Sequence, residues 1–284
     1  MKKFLLATAA VLASTSAYAA DYAVVHPFYT PAQGKFVSTT ELEYERSLTP
    51  DKAFDAKELE SSVTLTEGVK YGVTDDIQVG IEIGRDWGKD KWKSNTGLGG
   101  VAADHTYTNS WELTAGYNII NDGKAFLNTS LTYGQTVLKL KGFDDDVHAK
   151  IIGLEIFGGY NFDAVTVFGS IDYTRQIDGE KENLFLLRTG EKAKIYSLEA
   201  GVFKAFNDQI SAKASLSADI DETKDAKERT YWLNLGADYS ISKKMAVGVD
   251  FGYMIDNDKD ATPLWTPPAT HSAYKLGVDF TVEF

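Results

Sequence analysis

Apolar and polar residues alternate along most of this chain. The last stretch, Tyr274 to Phe284, shows it most plainly: every even position is apolar or aromatic, and every odd one is small, polar or charged. A two-residue period of this kind is that of a β-strand with two unlike faces. From Phe36 onward twelve such segments follow one another, at about 36 to 46, 61 to 73, 77 to 86, 106 to 119, 125 to 136, 150 to 161, 164 to 175, 194 to 206, 210 to 220, 230 to 240, 245 to 255 and 273 to 284.

The connections decide how these strands are arranged. Thr74-Asp75-Asp76, Asn121-Asp122-Gly123-Lys124, the step at Phe162-Asp163, Asn207-Asp208-Gln209 and Ile241-Ser242-Lys243-Lys244 read as tight hairpin turns. Between them come longer, charged connections such as Trp87 to His105, Gln176 to Ala193 and Asp256 to Ser272. Strict alternation of short and long connections predicts an antiparallel meander with an even strand number. Its short turns lie on one rim and its long loops on the other. The apolar face carries Val79, Ile81, Ile83, Leu113, Leu154, Ile156, Ile171, Leu198, Leu235 and Val249. Aromatics gather at the strand ends, with Tyr71, Tyr117, Phe206, Tyr239 and Phe284 at the turn rim. Tyr44, Tyr107, Trp111, Tyr133, Tyr173, Tyr196, Tyr231, Tyr253 and Tyr274 stand toward the loop rim. Two girdles at headgroup depth account for that placement. Glu67 breaks the pattern between Leu65 and Val69; either a β-bulge turns it off the apolar face or a neighbour pairs with it, and the bulge is the expected reason.

With its terminal aromatic and its apolar residues at every second position, the closing strand resembles that of Gram-negative outer-membrane β-barrels of the porin-like class. The resemblance implies an all-β fold: one transmembrane antiparallel up-and-down barrel of about twelve strands over 36–284, with periplasmic turns and extracellular loops. It also implies passive transport, residence in outer-membrane lipid, and recognition of the C-terminal strand, ending at Phe284, by the barrel-assembly machinery.

Other parts of the sequence fit an exported barrel. Lys2 and Lys3, the apolar run from Phe4 to Ala13 and Ala17-Tyr18-Ala19 form a cleavable secretory signal over 1–19, expected to use the Sec route. The run is too short to span a bilayer. Removing it takes the formal charge from −12 to −14, because Lys2 and Lys3 are its only charges. A chain this acidic is a poor partner for nucleic acid and for anionic headgroups. There is no cysteine, so backbone pairing and burial must hold the fold. Residues 20–35, with Pro27, Pro31 and Gly34, read as irregular lead-in. The apolar content of this segment, including Tyr22, Val25, Phe28 and Tyr29, suits packing on the periplasmic rim or a plug in the lumen.

Candidate chemistry lies on the face opposite the apolar one. Its ionisable residues are Glu41, Glu43, Glu45, Lys70, Glu82, Asp86, Glu112, Glu155, Asp172, Glu199, Lys213, Asp219, Asp238, Asp250, Lys275, Asp279 and Glu283, fourteen acids against three lysines. Small residues such as Gly80, Gly116, Gly153, Ser215, Gly248 and Gly277 stand among them and favour a water-filled path. Glu41, Glu82, Glu112, Glu155, Asp172, Glu199, Asp250 and Asp279 lie five to eight residues above the turn rim. At about 3.3 Å per residue and a tilt near 40° that is roughly 12 to 20 Å. With Glu43 they form a candidate pore-lining belt, the arrangement that favours cations. Three lysines cannot neutralise it. Passive diffusion of small cations or small polar solutes is the expected function.

Alternatives carry less. Asp144-Asp145-Asp146-Val147-His148 and Asp256-Asn257-Asp258-Lys259-Asp260 are placed on outer loops. The second starts like a calcium loop but has Ala261 and Pro267 where the glycine and the final acid belong, so no metal and no cofactor is expected. A barrel hydrolase would need convergent groups. No histidine has Ser or Thr two residues on, which argues against a His-Ser site on one strand face; His105, His148 and His271 sit in predicted loops with acids nearby, which leaves an Asp-His hydrolase as the lesser reading, and no catalytic residue is assigned. A ligand-binding or adhesive barrel acting through its loops, without an open pore, is the other reading. For oligomerisation, only Ala212, Ala214 and Ala218 offer small residues on the apolar face.

Overall fold

A computed structural model describes residues 23–51, 56–91, 106–140, 147–162, 165–179, 193–222, 226–261 and 272–284. The proposed export signal and Tyr22 lie outside the described residues, as do His105, Asp144 to Asp146 and His271. Twelve strands close into one antiparallel barrel in which each pairs with its sequence neighbours and β1 meets β12. They are β1 (Phe36–Asp51), β2 (Ala56–Gly72), β3 (Ile77–Lys91), β4 (Thr106–Asn121), β5 (Ala125–Leu140), β6 (Val147–Phe162), β7 (Val165–Gly179), β8 (Lys194–Ala205), β9 (Ile210–Glu222), β10 (Ala226–Ser242), β11 (Met245–Ala261) and β12 (Ser272–Glu283). Closure leaves no unpaired edge, which is what lets a sheet stand in hydrocarbon.

Local chemistry explains the periplasmic turns. In four of them a side-chain oxygen near the end of the incoming strand accepts from amides that the turn leaves free. Thr74 Oγ1 accepts from Asp76 and Ile77, Asp122 Oδ1 from Lys124 and Ala125, Asn207 Oδ1 from Gln209 and Ile210, and Ser242 Oγ from Lys244, all at 2.7–3.2 Å. The Ala125 and Lys124 amides hold the Asp122 carboxyl below the usual range. Gly123, with φ of 88°, takes the left-handed position that this hairpin needs.

The first and last strands meet at the seam. Phe284 N donates to Phe36 O at 2.8 Å, and the Phe36 ring lies 4.5 Å from Tyr71. The outward residues are the exposed apolar ones, among them Ile83, Leu131, Ile171 and Leu216. Tyr173–Tyr196 at 5.1 Å and Trp111–Tyr133 at 5.7 Å belong to the extracellular girdle.

Three expectations need correction. The strands run further toward the extracellular side than alternation indicates, so Asp256 to Asp260 belong to β11 rather than a loop. There Asp258 pairs with Arg229 of β10 at 3.0 Å, and Asn257 Nδ2 donates to Glu228 and Thr230 at 2.8 and 2.9 Å. Beyond the bilayer both faces meet water, so pairing continues after the apolar period has ended. His148 likewise lies in β6, its Nδ1 3.2 Å from Gln135 Nε2. Finally, β2 carries no bulge at Glu67. Its register runs unbroken from Glu67 to Thr40 on one side and Ile83 on the other, which leaves Glu67 exposed on the outward face.

Candidate functional site: an acidic lumen with a strapped mouth

Inward residues of all twelve strands line a cavity of about 430 Å³. All nine predicted belt acids reach it: Glu41, Glu43, Glu82, Glu112, Glu155, Asp172, Glu199, Asp250 and Asp279. Asp219, Asp238, Lys70, Lys213 and Lys275 join them, giving eleven carboxylates and three lysines. Glu45, Asp86 and Glu283 do not line this cavity. Asp86 is buried against Thr64 Oγ1 at 2.9 Å, Glu45 faces Lys275, and Glu283 sits at the periplasmic mouth.

Register brings the acids together in a way that spacing along the chain does not reveal. Glu41 stands directly opposite Asp279, Glu82 opposite Glu112, and Glu155 opposite Asp172. Like charges at directly opposed positions repel, so the fold keeps these carboxylates at some cost. Glycines make the room. A Cβ on Gly134 would lie 2.8 Å from Glu112 Cγ, and one on Gly68 would lie 3.6 Å from Glu82 Oε2. Gly248 leaves space for the Asp279 carboxylate. The small lumen residues therefore seat carboxylates as well as widening the path.

The lysines offset only part of this charge. Lys213 Nζ is 2.9 Å from Asp250, and Lys275 Nζ is 3.6 Å from Glu45 and 3.9 Å from Glu43 while lying 4.7 Å from the Trp232 ring centre. Hydroxyls supply other partners: Ser130 donates to Glu155 Oε2 at 3.1 Å, Thr174 to Asp172 at 3.1 Å and Ser197 to Asp219 at 2.7 Å. Among the described residues, no three His, Asp or Glu side chains are grouped to hold a metal ion.

Residues 23–35 cross the periplasmic mouth as a strap. Phe28 stacks on Phe126 at 5.0 Å and meets Phe157 edge-on at 6.0 Å, in a cluster completed by Phe168 and Phe203. Tyr29 donates its phenol hydrogen to Glu283, whose other oxygen is 2.9 Å from Lys244 Nζ. His26 Nδ1 accepts from Phe28 N at 3.1 Å, so its hydrogen is on Nε2, 3.3 Å from Thr166 Oγ1. Val24 N donates to Lys243 O at 3.1 Å, and Asn118 Nδ2 to Thr30 Oγ1 at 3.4 Å. Gly34 N and Gly72 O are 2.8 Å apart, an approach so close that a Cβ on Gly72 would strike the Pro31 and Ala32 carbonyls. Of the predicted plug residues, Phe28 and Tyr29 are buried and Val25 is half-buried.

Phe126, Phe157, Phe168 and Phe203, which pack around Phe28 of the strap, are lumen residues absent from the sequence-based belt. They share its lumen parity, Phe157 two positions from Glu155 and Phe203 four from Glu199. An apolar ring on the wet face is the signal that could have found them.

Such an architecture defines a bacterial outer-membrane barrel with a polar, strongly acidic interior. A family model for Gram-negative porins matches residues 60–260. The chain belongs to that family, and its place is the bacterial outer membrane. No curated protein sequence matches it. Among solved structures, an outer membrane channel from Pseudomonas putida F1 is similar over 95% of this chain and 100% of its own, with a TM-score of 0.64 at 12% identity. The translocator domain of the autotransporter NalP from Neisseria meningitidis is similar over 88% of each chain, with a TM-score of 0.53 at 15% identity. The β domain of the Bordetella autotransporter BrkA is similar over 86% of this chain and 98% of its own, with a TM-score of 0.50 at 14% identity. These likenesses concern the fold.

Proposed function

We propose that this porin is a passive channel for small cations and small polar solutes, and not an enzyme. The observation that carries the reading is the lining of its lumen: eleven carboxylates against three lysines, with three carboxylate pairs at directly opposed positions. In a narrow path with low-dielectric walls, fixed charge of one sign raises the local concentration of counter-ions and lowers that of co-ions. Potassium should enter readily and chloride poorly. The strap residues Val24, Val25, Pro27, Tyr29 and Pro31 line the cavity, and bulky solutes should be held back there.

The test is the reversal potential of the refolded protein in a planar bilayer under a potassium chloride gradient at neutral pH. Wild type should be strongly cation-selective. Replacing Glu82, Glu112 and Glu155 by glutamine should lower the potassium-to-chloride permeability ratio by roughly an order of magnitude. A triple variant with unchanged selectivity would mean that the belt is not the filter.

A further inference from the structure

Directly opposed positions from β2 across to β5 read Gly68, Glu82, Glu112 and Gly134. Two carboxylates thus face the lumen side by side, with a glycine on either flank. Each side chain leans over its own glycine. Glu82 Oε2 is 3.6 Å from where a Gly68 Cβ would stand, and Glu112 Cγ is 2.8 Å from that of Gly134. The two side chains splay apart, which opens a gap between them. Both line the acidic cavity, and Glu112 is only 7% exposed. Among the described residues no hydrogen bond or ion pair reaches either carboxylate. That separates this pair from the other two. Ser130 and Thr174 donate to Glu155 and Asp172, and the charge of Lys213 acts on both Glu41 and Asp279. Lys70 acts on Glu82 but shares its charge with Glu155, and the charged group that acts on Glu112 is another acid, Asp172. Buried carboxylates are normally paired or bound to a metal.

We propose that Glu82 and Glu112 together hold a divalent metal cation that keeps part of its water shell. The site deepens the channel reading given above and rests on the same acidic cavity. Charge selects the ion first. A doubly charged ion neutralises both opposed carboxylates at once, whereas an ammonium of the lysine kind leaves one uncompensated. Coordination selects it next. No third acid groups with the pair among the described residues, so water must complete the shell, and calcium accepts such a mixture of carboxylate and water oxygens. The glycine flanks leave room for that water. Two carboxylates and solvent should give a Kd on the order of 10⁻⁴ to 10⁻³ M, as in weak extracellular calcium modules. An ion held so loosely enters and leaves, and while it stays it cancels the local field that draws potassium.

Equilibrium dialysis of the folded barrel in detergent against radioactive calcium tests the site without any current. Wild type should take up a single saturable ion in that range. Glu82→Gln combined with Glu112→Gln should weaken this uptake by roughly tenfold or more. Glu155→Gln combined with Asp172→Asn removes as much charge from the same belt and should keep the ion. Heat-modifiable gel migration confirms that each variant is folded. No saturable ion in wild type, uptake unchanged in the Glu82 and Glu112 variant, or equal loss in both double variants would overturn the proposal. In a planar bilayer, calcium at its Kd should cut the potassium current by roughly half. A cation-selective current with no calcium bound would refute the site and leave the channel. Calcium bound by a barrel that carries no current would refute the channel and leave the site.

Discussion

Phe28 is the residue on which the strap should depend most. Its ring is 2% exposed and is packed among Phe126, Phe157, Phe168 and Phe203. Truncating a buried phenylalanine costs about 3 to 5 kcal/mol. Among the other ties, the hydrogen bonds from Tyr29, Val24 and Thr30 are worth about 1 kcal/mol each, somewhat more where Glu283 is charged. Phe28→Ala therefore removes a contribution as large as those ties together, and shifts the balance between seated and released strap by roughly two to four powers of ten. Single-channel recording should show a larger or more variable conductance. Cation preference should persist, because the carboxylates that line the acidic cavity stand on the strands and not on the strap. Val24 is buried in the seated strap. A thiol placed there by Val24→Cys should react with a membrane-impermeant maleimide in the Phe28→Ala background and resist it otherwise. If Phe28→Ala leaves both the conductance and the protection of that thiol unchanged, the phenylalanine cluster does not hold the strap.

Acidification should loosen the same element. Burial pushes His26 down to about 4, below its ordinary 6.5, so the seated strap holds a neutral imidazole. That contribution is complete above pH 6.5 and is lost as the pH falls toward 4, on the order of 3 kcal/mol at most. Maleimide labelling of the Val24→Cys variant, taken relative to a permanently exposed cysteine at the same pH because the reactive thiolate fraction falls on acidification, should rise through this window and stay flat when His26→Gln is added. Lys213→Gln frees Asp250 from its ion pair and should raise the potassium-to-chloride permeability ratio, read from the reversal potential. In Gly134→Val the new side chain would press on Glu112 and on the Trp111 carbonyl, each 2.8 Å from the Cβ position. Overpacking of that kind should lower stability by about 1 to 3 kcal/mol, seen as an earlier urea midpoint.

How much the sequence reveals follows from how far each signal reaches along the chain. Alternation is local, so the twelve strands and the face of every belt acid can be read directly. It lasts only while one face meets lipid and the other water, which is why Asp256 to Asp260 look like loop. The pairing of Glu82 with Glu112 depends on the register set across a long connection, and alternation carries no information about that. Tyr29 and Glu283 are 254 positions apart, and only closure of the barrel at β1 and β12 brings them together. Glu67 misleads for a different reason. The rule that lipid-facing positions exclude charge conflicts there with the parity of the strand, and a bulge would save the rule. The unbroken ladder returns the charge to the lipid face. A group that breaks the pattern its neighbours obey therefore stays on the face its parity assigns unless the ladder itself shifts, and only the register on both sides of it decides which.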